Sequence, residues 1–421
     1  MACLGVLALL VVLGTTSPLY GAVAVGLAAI ITLVVCFDLE RSGIVFVTLA
    51  MFGAPLNNLR VSAGSYVTAS DLLFVLGFGV LMPTIARNKF KLPAMFVLGF
   101  MLLLSMGIVA SVASNMPLVS ANQVGRLVIG AFSLPIFLML WRPSSAVVVR
   151  LAMAYVLGTV FSVGYGLAHG PVAGDARYVG YTYHPNYLGL SCLLAAALVP
   201  YVVASIESAY RWIWWASCLV CAYGVYISGS RAALLVLIML VVIYPFVEGS
   251  IRAASAVFAG FVGVVAFSGT LLNQDGNNAL GRLFGSGSAN GSDIQREQIA
   301  TEALRQLKAH PFLGNGFDGG LGSHDIYLQV AVAVGVFGLI GYLLILWSAL
   351  RPLFWEGVDH RLAYPVLAYA TIGPLTNTLW DRLIWSVVAL AFTVVVRGPQ
   401  SQNPDTAKVL VAIPSEIRNQ G

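Results

Sequence analysis

Long, uninterrupted apolar runs recur along the whole of this 421-residue chain, and no other feature limits its fold as strongly. A helix crossing a ~30 Å hydrocarbon core needs ~20 predominantly apolar residues. In lipid every backbone polar group must be satisfied inside the protein, which leaves helix bundles or closed barrels. Barrel strands alternate apolar and polar residues, and these runs do not alternate. The expectation is therefore an all-α polytopic integral membrane protein. Composition agrees, with 59% hydrophobic and only 9% charged residues, where soluble domains carry ~25% charged. The lipid bilayer is the first partner implied, and no nucleic-acid partner is expected. The five cysteines all lie inside apolar runs, without metal or disulfide spacing, and read as buried thiols.

Hydropathy places spans near 2–14, 19–37, 43–55, 71–86, 93–113, 121–140, 147–168, 185–206, 212–228, 231–247, 251–271, 324–350, 361–378 and 382–397. The first and third are short, so the bundle is expected to hold about 12–14 transmembrane helices. Residues 1–14 read as a first span rather than a cleaved signal, because no basic segment precedes them. Arg87, Lys89 and Lys91 share one loop, and Arg142 and Arg150 another. Arg211, Arg252, and Arg351 with Arg361 mark three more. These loops alternate along the map, so they share one side, which the positive-inside rule makes cytoplasmic. The loops at 55–70, 168–184, 228–231, 272–323 and 378–381 then face outward. The expected organisation is an N-terminal part of the bundle over 1–271, an extracytoplasmic loop over 272–323, C-terminal helices over 324–397, and a flexible cytoplasmic tail over 398–421.

The loop is the one long polar segment in the body of the chain. It opens with the turn-rich NQDGNN and GSGSANGS. A helix is predicted near 292–309, with Ser292 and Gln295 as a capping box, Asp293 in the first turn, Lys308 near the last and Pro311 beyond. Ala300, Ala303, Leu304 and Leu307 form one stripe of that helix. Arg296 falls in the middle of the stripe and Arg305 on the opposite face, an arrangement suited to lying along a membrane surface.

Polar groups gather at the outward ends of the spans. Arg177, His184 and Asn186 lie in GDARYVGYTYHPNYLGL; Ser228, Ser230 and Arg231 lie in SGSRAALL; Arg282, Arg296 and His324 belong to the loop. Each has an ordinary structural reading: a snorkelling Arg231, an Arg177 paired with Asp175, a turn-closing His184, a solvated Arg282, a capping His324. Together they suggest more. Arginine keeps its charge and offers a planar fork matched to phosphate. An arginine-rich cleft beside lipid suits an anionic, lipid-linked substrate, with a diphosphate headgroup the obvious candidate. The sequence has no GxxxxGK[ST], HExxH or GxSxG, and no carboxylate pair stands out as a metal site. No cofactor and no metal are expected.

The segment HDIYLQVAVAVGVFG resembles the signature of the O-antigen ligase and O-antigen polymerase superfamily: a histidine, one neighbouring residue, nine further residues, then G-x-x-G. His324, Gly335 and Gly338 fit the spacing. Asp325 stands where the family usually has Asn, Ser or Gln. HPFLGNGF, RYVGYTYHPNYLGL, SGSRAALL and SDIQRE are similar to further family segments, in the family's order, over roughly 177–338.

The resemblance implies a membrane glycosyltransferase acting at the outer face of the bacterial cytoplasmic membrane, in cell-envelope polysaccharide or lipopolysaccharide synthesis. It implies a polyprenyl-diphosphate-linked glycan donor and a glycan or glycolipid acceptor. It carries the family's histidine onto His324, and its arginines onto Arg231 and either Arg296 or Arg282. Arg177 is a further candidate for the diphosphate, with Asp325, His184 and Asn186 secondary. Chemistry supports the assignment, since a neutral histidine can take the acceptor hydroxyl's proton while arginines meet the leaving group's charge. Direct attack would invert the anomeric centre. The family's motifs are shared by ligases and polymerases. A flippase for related lipid-linked glycans, or an envelope scaffold, would share the bundle but need no base. No internal repeat of the transporter kind is evident in the sequence.

Overall fold

A computed structural model describes residues 38–60, 67–172, 176–255, 258–259, 278–283, 289–317 and 323–398. The expected spans near 2–14 and 19–37, most of the one near 251–271, and nearly all of the 398–421 tail lie outside the described residues. Among those described, the chain is helical, with one isolated bridge between Arg60 and Thr68 and no strand. In chain order the helices are α1 (Leu39–Gly53), α2 (Ala69–Arg87), α3 (Ala94–Ala113), α4 (Pro117–Leu127), α5 (Ser133–Trp141), α6 (Ser145–His169) and α7 (Pro185–Ser205). They continue as α8 (Arg211–Ile227), α9 (Arg231–Val247), α10 (Ala279–Leu283), α11 (Ala289–Ala309), α12 (Ile326–Leu350), α13 (Tyr364–Ile372) and α14 (Arg382–Arg397).

Six of the described helices are long and apolar enough to cross a membrane: α2, α3, the α4–α5 rod, α6, α7, and α12 with its extension to Phe354. The protein is thus a multi-pass, all-α membrane protein. Helix ends fall within a few residues of those read from hydropathy, and α9 falls on them. The span expected over 361–378 is different. Only Tyr364–Ile372 is α-helical there, because the Gly373–Leu375 turn that follows holds a proline that cannot continue it.

α7 and α14 are buried on nearly all sides and form the interior. α2 and α3 are peripheral, and Val75, Leu98 and Val112 point outward as lipid-facing side chains would. Lipid tails are as apolar as leucine, so close packing must hold such helices together. Glycines provide it. α3 and α12 run antiparallel, with a Cβ on Gly99 coming within 2.6 Å of the Gly341 carbonyl, and Gly107 facing Val334. α1 and α2 meet in the same way at Gly43 and Gly77.

Two irregularities position the site. Between α4 and α5 the chain makes a π-helical turn, Val128–Phe132. The Ile129 and Gly130 carbonyls in that turn accept from Arg382 Nη1 at 3.2 and 3.0 Å, while Arg382 Nε donates to Asp71 at 2.6 Å. This pins the start of α14 to α2 and to the π-turn. The second irregularity lies in α12, where Gly335 (φ 68, ψ −177) breaks the helix. The backbone N–H groups of Asn315 and Gly316 donate to the Val332 and Ala333 carbonyls, both at 2.9 Å, and Val336 N donates to Pro311 O at 2.9 Å. The PFLGNG segment therefore docks into the break. A Cβ at Gly335 would sit 2.0 Å from the Phe312 carbonyl oxygen.

The basic loops meet at one end of the bundle. Asn88 donates to the Leu140 and Trp141 carbonyls, Arg142 to Lys89 O, and Arg397 to Ser145 and Pro143. Glu248, at the end of α9, accepts from Arg361, His360 and Tyr364. The N-terminal ends of α7, α9 and α12 lie at the other end.

Candidate active site

At that other end, helices α7, α9 and α12 each begin with a polar cap. His184 caps α7, its Nδ1 accepting from Asn186 N at 3.1 Å. Ser230 caps α9, its hydroxyl accepting from Ala233 N at 3.4 Å. Asp325 caps α12, its Oδ1 accepting from Tyr327 N and Leu328 N at 2.9 and 3.0 Å. The positive ends of three helix dipoles therefore face the same region, which favours an anion there.

The segment before α9 explains its own sequence. Gly229 adopts φ +65, and consecutive carbonyls of the turn are held by two buried arginines. Arg177 Nε donates to Ser228 O at 2.9 Å, and Arg282 Nη1 to Gly229 O at 2.9 Å. Arg177 also donates to Asn186 Oδ1 at 2.6 Å, tying the turn to the start of α7. α7 comes close enough at Gly189 that a Cβ there would meet Ser230 Cβ at 2.6 Å. The S-G-S-R pattern is thus a clamped turn that delivers Arg231 as the first residue of α9.

Above these caps lies a cavity of about 260 Å³. Its walls include Arg231 from α9, Arg282 from α10, Arg296 from α11 and His324 from the lead into α12. His184 and Asn186 line it as well. Of the residues singled out in the sequence, these six and Ser230 converge. Arg177 is not part of the lining; it stands behind the wall and orients Asn186 and the Ser228–Gly229 turn. Asp325 is occupied as a helix cap rather than lining the cavity. Asp175 lies outside the described residues.

The loop helix spans Ala289–Ala309 and so begins three residues before the predicted 292. Its buried side carries Ala303, with Ile299, Ala300 and Leu307 half-buried, but Leu304 is 49% exposed. The apolar stripe is thus rotated slightly away from the predicted one. Arg296 still faces inward, while Arg305 points out and pairs with Glu302 at 2.6 Å. The short α10, which holds Arg282, falls where turn-rich sequence suggested no helix.

His324 is half-buried. Burial, and then the nearby positive charge of Arg296, push its pKa below the ordinary histidine value. Both effects penalise the imidazolium, so the ring is neutral at neutral pH and available to accept a proton. Across the cavity's lining the charged groups give way to Tyr183, Tyr187, Thr376, Asn377 and Thr378. Sequence reading passed these over, because it placed 376–378 at the end of the span expected over 361–378 and gave Tyr183 and Tyr187 no role beside His184 and Asn186. Tyr187 donates to Asp381 at 3.3 Å, and burial raises the Asp381 carboxyl to about 6. Among the described residues, no three His, Cys, Asp or Glu side chains cluster as metal ligands would.

Residues 216–343 match the family model described as O-Antigen ligase. No curated protein matches the chain. The matched stretch runs from α8 into α12 and contains Arg231, Arg282, Arg296 and His324. It supports the resemblance to the O-antigen ligase and polymerase superfamily that the motifs carry.

Proposed function

We propose that the protein transfers a glycan from a polyprenyl diphosphate to a sugar hydroxyl, without a metal and with inversion at the anomeric carbon. The observation that carries this reading is the convergence of three arginines and one neutral histidine, from four separate segments, on one cavity at the end of a membrane bundle.

Each group has a task its chemistry fits. The acceptor hydroxyl forms a new bond to the anomeric carbon, and its proton passes to a ring nitrogen of His324. The anomeric C–O bond to the diphosphate breaks, and the electron pair leaves with the diphosphate oxygen. Arg231, Arg282 and Arg296 meet that growing charge, together with the positive helix ends. Because guanidinium stays protonated, this stabilisation needs no divalent ion. Arg177 acts behind them as a positioning residue. The uncharged wall of tyrosine, threonine and asparagine suits sugar hydroxyls. A glycolipid acceptor makes the reaction a ligation; a second lipid-linked glycan makes it a polymerisation.

The basic end of the bundle, set opposite the cavity, supports a bacterial inner-membrane protein with its active site on the extracytoplasmic face. A flippase would use the arginines but would have no task for a neutral histidine beside them.

His324→Ala tests the proposal. The variant should fold and insert normally, since the residue is half-buried and Asp325 caps the helix. Turnover of a synthetic polyprenyl-diphosphate donor should drop by about 10²–10⁴-fold, the usual cost of losing a general base. Near-normal turnover would remove His324 from the reaction.

A further inference from the structure

A second polar groove lies beside the first cavity and shares none of its lining residues. It measures about 430 Å³. Ser114 and Asn115 come from the turn after α3, Arg305 and Gln306 from the last turns of α11, and His310 and Asn315 from the HPFLGNGF segment. The groove opens at the same end of the bundle, because the C-terminal end of α3 packs beside the N-terminal half of α12.

Its chemistry differs from that of the first cavity. Arg305 is already gripped by Glu302 through two bonds, at 2.8 and 2.6 Å. Its charge is matched, whereas phosphate recognition calls for cations able to face the anion. Gln306 donates to Glu302 at 3.0 Å and accepts from Asn315 at 3.4 Å, so the two amides are held in register. Asn115 and His310 are exposed and face no such constraint. Amides, a hydroxyl and an imidazole around an open, charge-balanced groove fit a neutral ligand rich in hydroxyl groups.

Position then narrows the choice. One helix serves both sites, with Arg296 lining the first and Arg305 and Gln306 the second. At ~1.5 Å of rise per residue the two lie roughly 14 Å apart along α11. The groove's floor is fixed to α12 by the bonds from Asn315 and Gly316 to Val332 and Ala333. We propose that this groove is a distal glycan subsite, holding sugar units of the donor or acceptor chain a short way from the reacting one. The proposal rests on the glycosyl-transfer reading above.

Two measurements decide it, on full-length protein in detergent. The first is binding of free glycan, released by mild acid from the host's own lipid-linked donor, followed by saturation-transfer NMR. Wild type should bind it; Asn115→Trp, which fills the groove, and the double variant Asn115→Ala with His310→Ala should lose most of the signal. The second is kcat/KM as a function of chain length. One arm lengthens the donor glycan against a short acceptor, and the other lengthens the acceptor against a short donor. In one arm the wild-type advantage for long chains should shrink roughly tenfold in the double variant, as expected for two lost hydrogen bonds; that arm identifies the chain held. Equal glycan binding by wild type and Asn115→Trp, or binding by neither, overturns the subsite. So does a length dependence unchanged in both arms. Absence of transfer from every donor would defeat the glycosyl-transfer reading instead, and the binding result would still decide the groove.

Discussion

The interplay of Arg296 and His324 has a signature in the pH profile. In the proposed reaction His324 must be neutral to accept the proton, and both burial and Arg296 hold its pKa below the ordinary histidine value. Activity should therefore persist into mildly acidic solution and fail only below the usual ~6.5. Arg296→Gln removes the positive neighbour, so the acid limb should move to higher pH even as overall activity declines. Initial rates across pH, normalised to each plateau, would show it; an unmoved limb would mean that Arg296 does not act on the histidine. Arg231 is tested by the conservative change. Arg231→Lys keeps the charge but loses the fork, and kcat/KM should fall roughly 10–100-fold, the value of a charge-assisted bond. Full activity would mark Arg231 as a plain interfacial cation. These arginines and the histidine were legible in the sequence because charge is rare in this chain and each instance asks for a reason. Thr376, Asn377 and Thr378 were not, since hydropathy put them at the end of the 361–378 span and only the folded chain places them at the cavity.

Gly335 shows what an element can hide. Spacing identified it as one of two signature glycines, but not what it does. Its backbone occupies a region that is essentially glycine-only, and its Cα faces the Phe312 carbonyl. The break it makes in α12 frees carbonyls that the PFLGNG segment then satisfies. The two motifs are two halves of one joint, a relation that no periodicity could disclose. Gly335→Ala should cost at least the ~1–3 kcal/mol of backbone strain, and more from the clash. Thermal unfolding in detergent should show a markedly lowered midpoint or no folded protein at all. A variant as stable as wild type would mean that the joint is absent. The π-turn at Val128–Phe132 was equally invisible, because the group that holds its Ile129 and Gly130 carbonyls is Arg382, some 250 residues away in sequence. By contrast, most helix ends were legible to within a few residues, because apolar length and turn residues fix them locally. The rotation of α11 that exposes Leu304 depends on its neighbours, and so could not be read from the helix alone.

At the scale of the whole molecule, the account is a division of labour along the membrane normal. Basic loops gather at one end, where Glu248 ties α9 to Arg361 and Tyr364. Helix N-termini, arginines and His324 gather at the other. The sequence conveyed this polarity through the alternation of charged loops, and the family match over 216–343 includes the cavity's three arginines and His324. The central claim of the proposed reaction is that guanidinium groups and helix ends, rather than a divalent ion, carry the leaving group's charge. The most direct measurement is the release of polyprenyl diphosphate from a synthetic glycan donor by purified protein, with excess EDTA and then with added Mg²⁺ or Mn²⁺. The account predicts equal rates in all three conditions and a product of inverted anomeric configuration. Activity abolished by EDTA and restored by a divalent ion would contradict it.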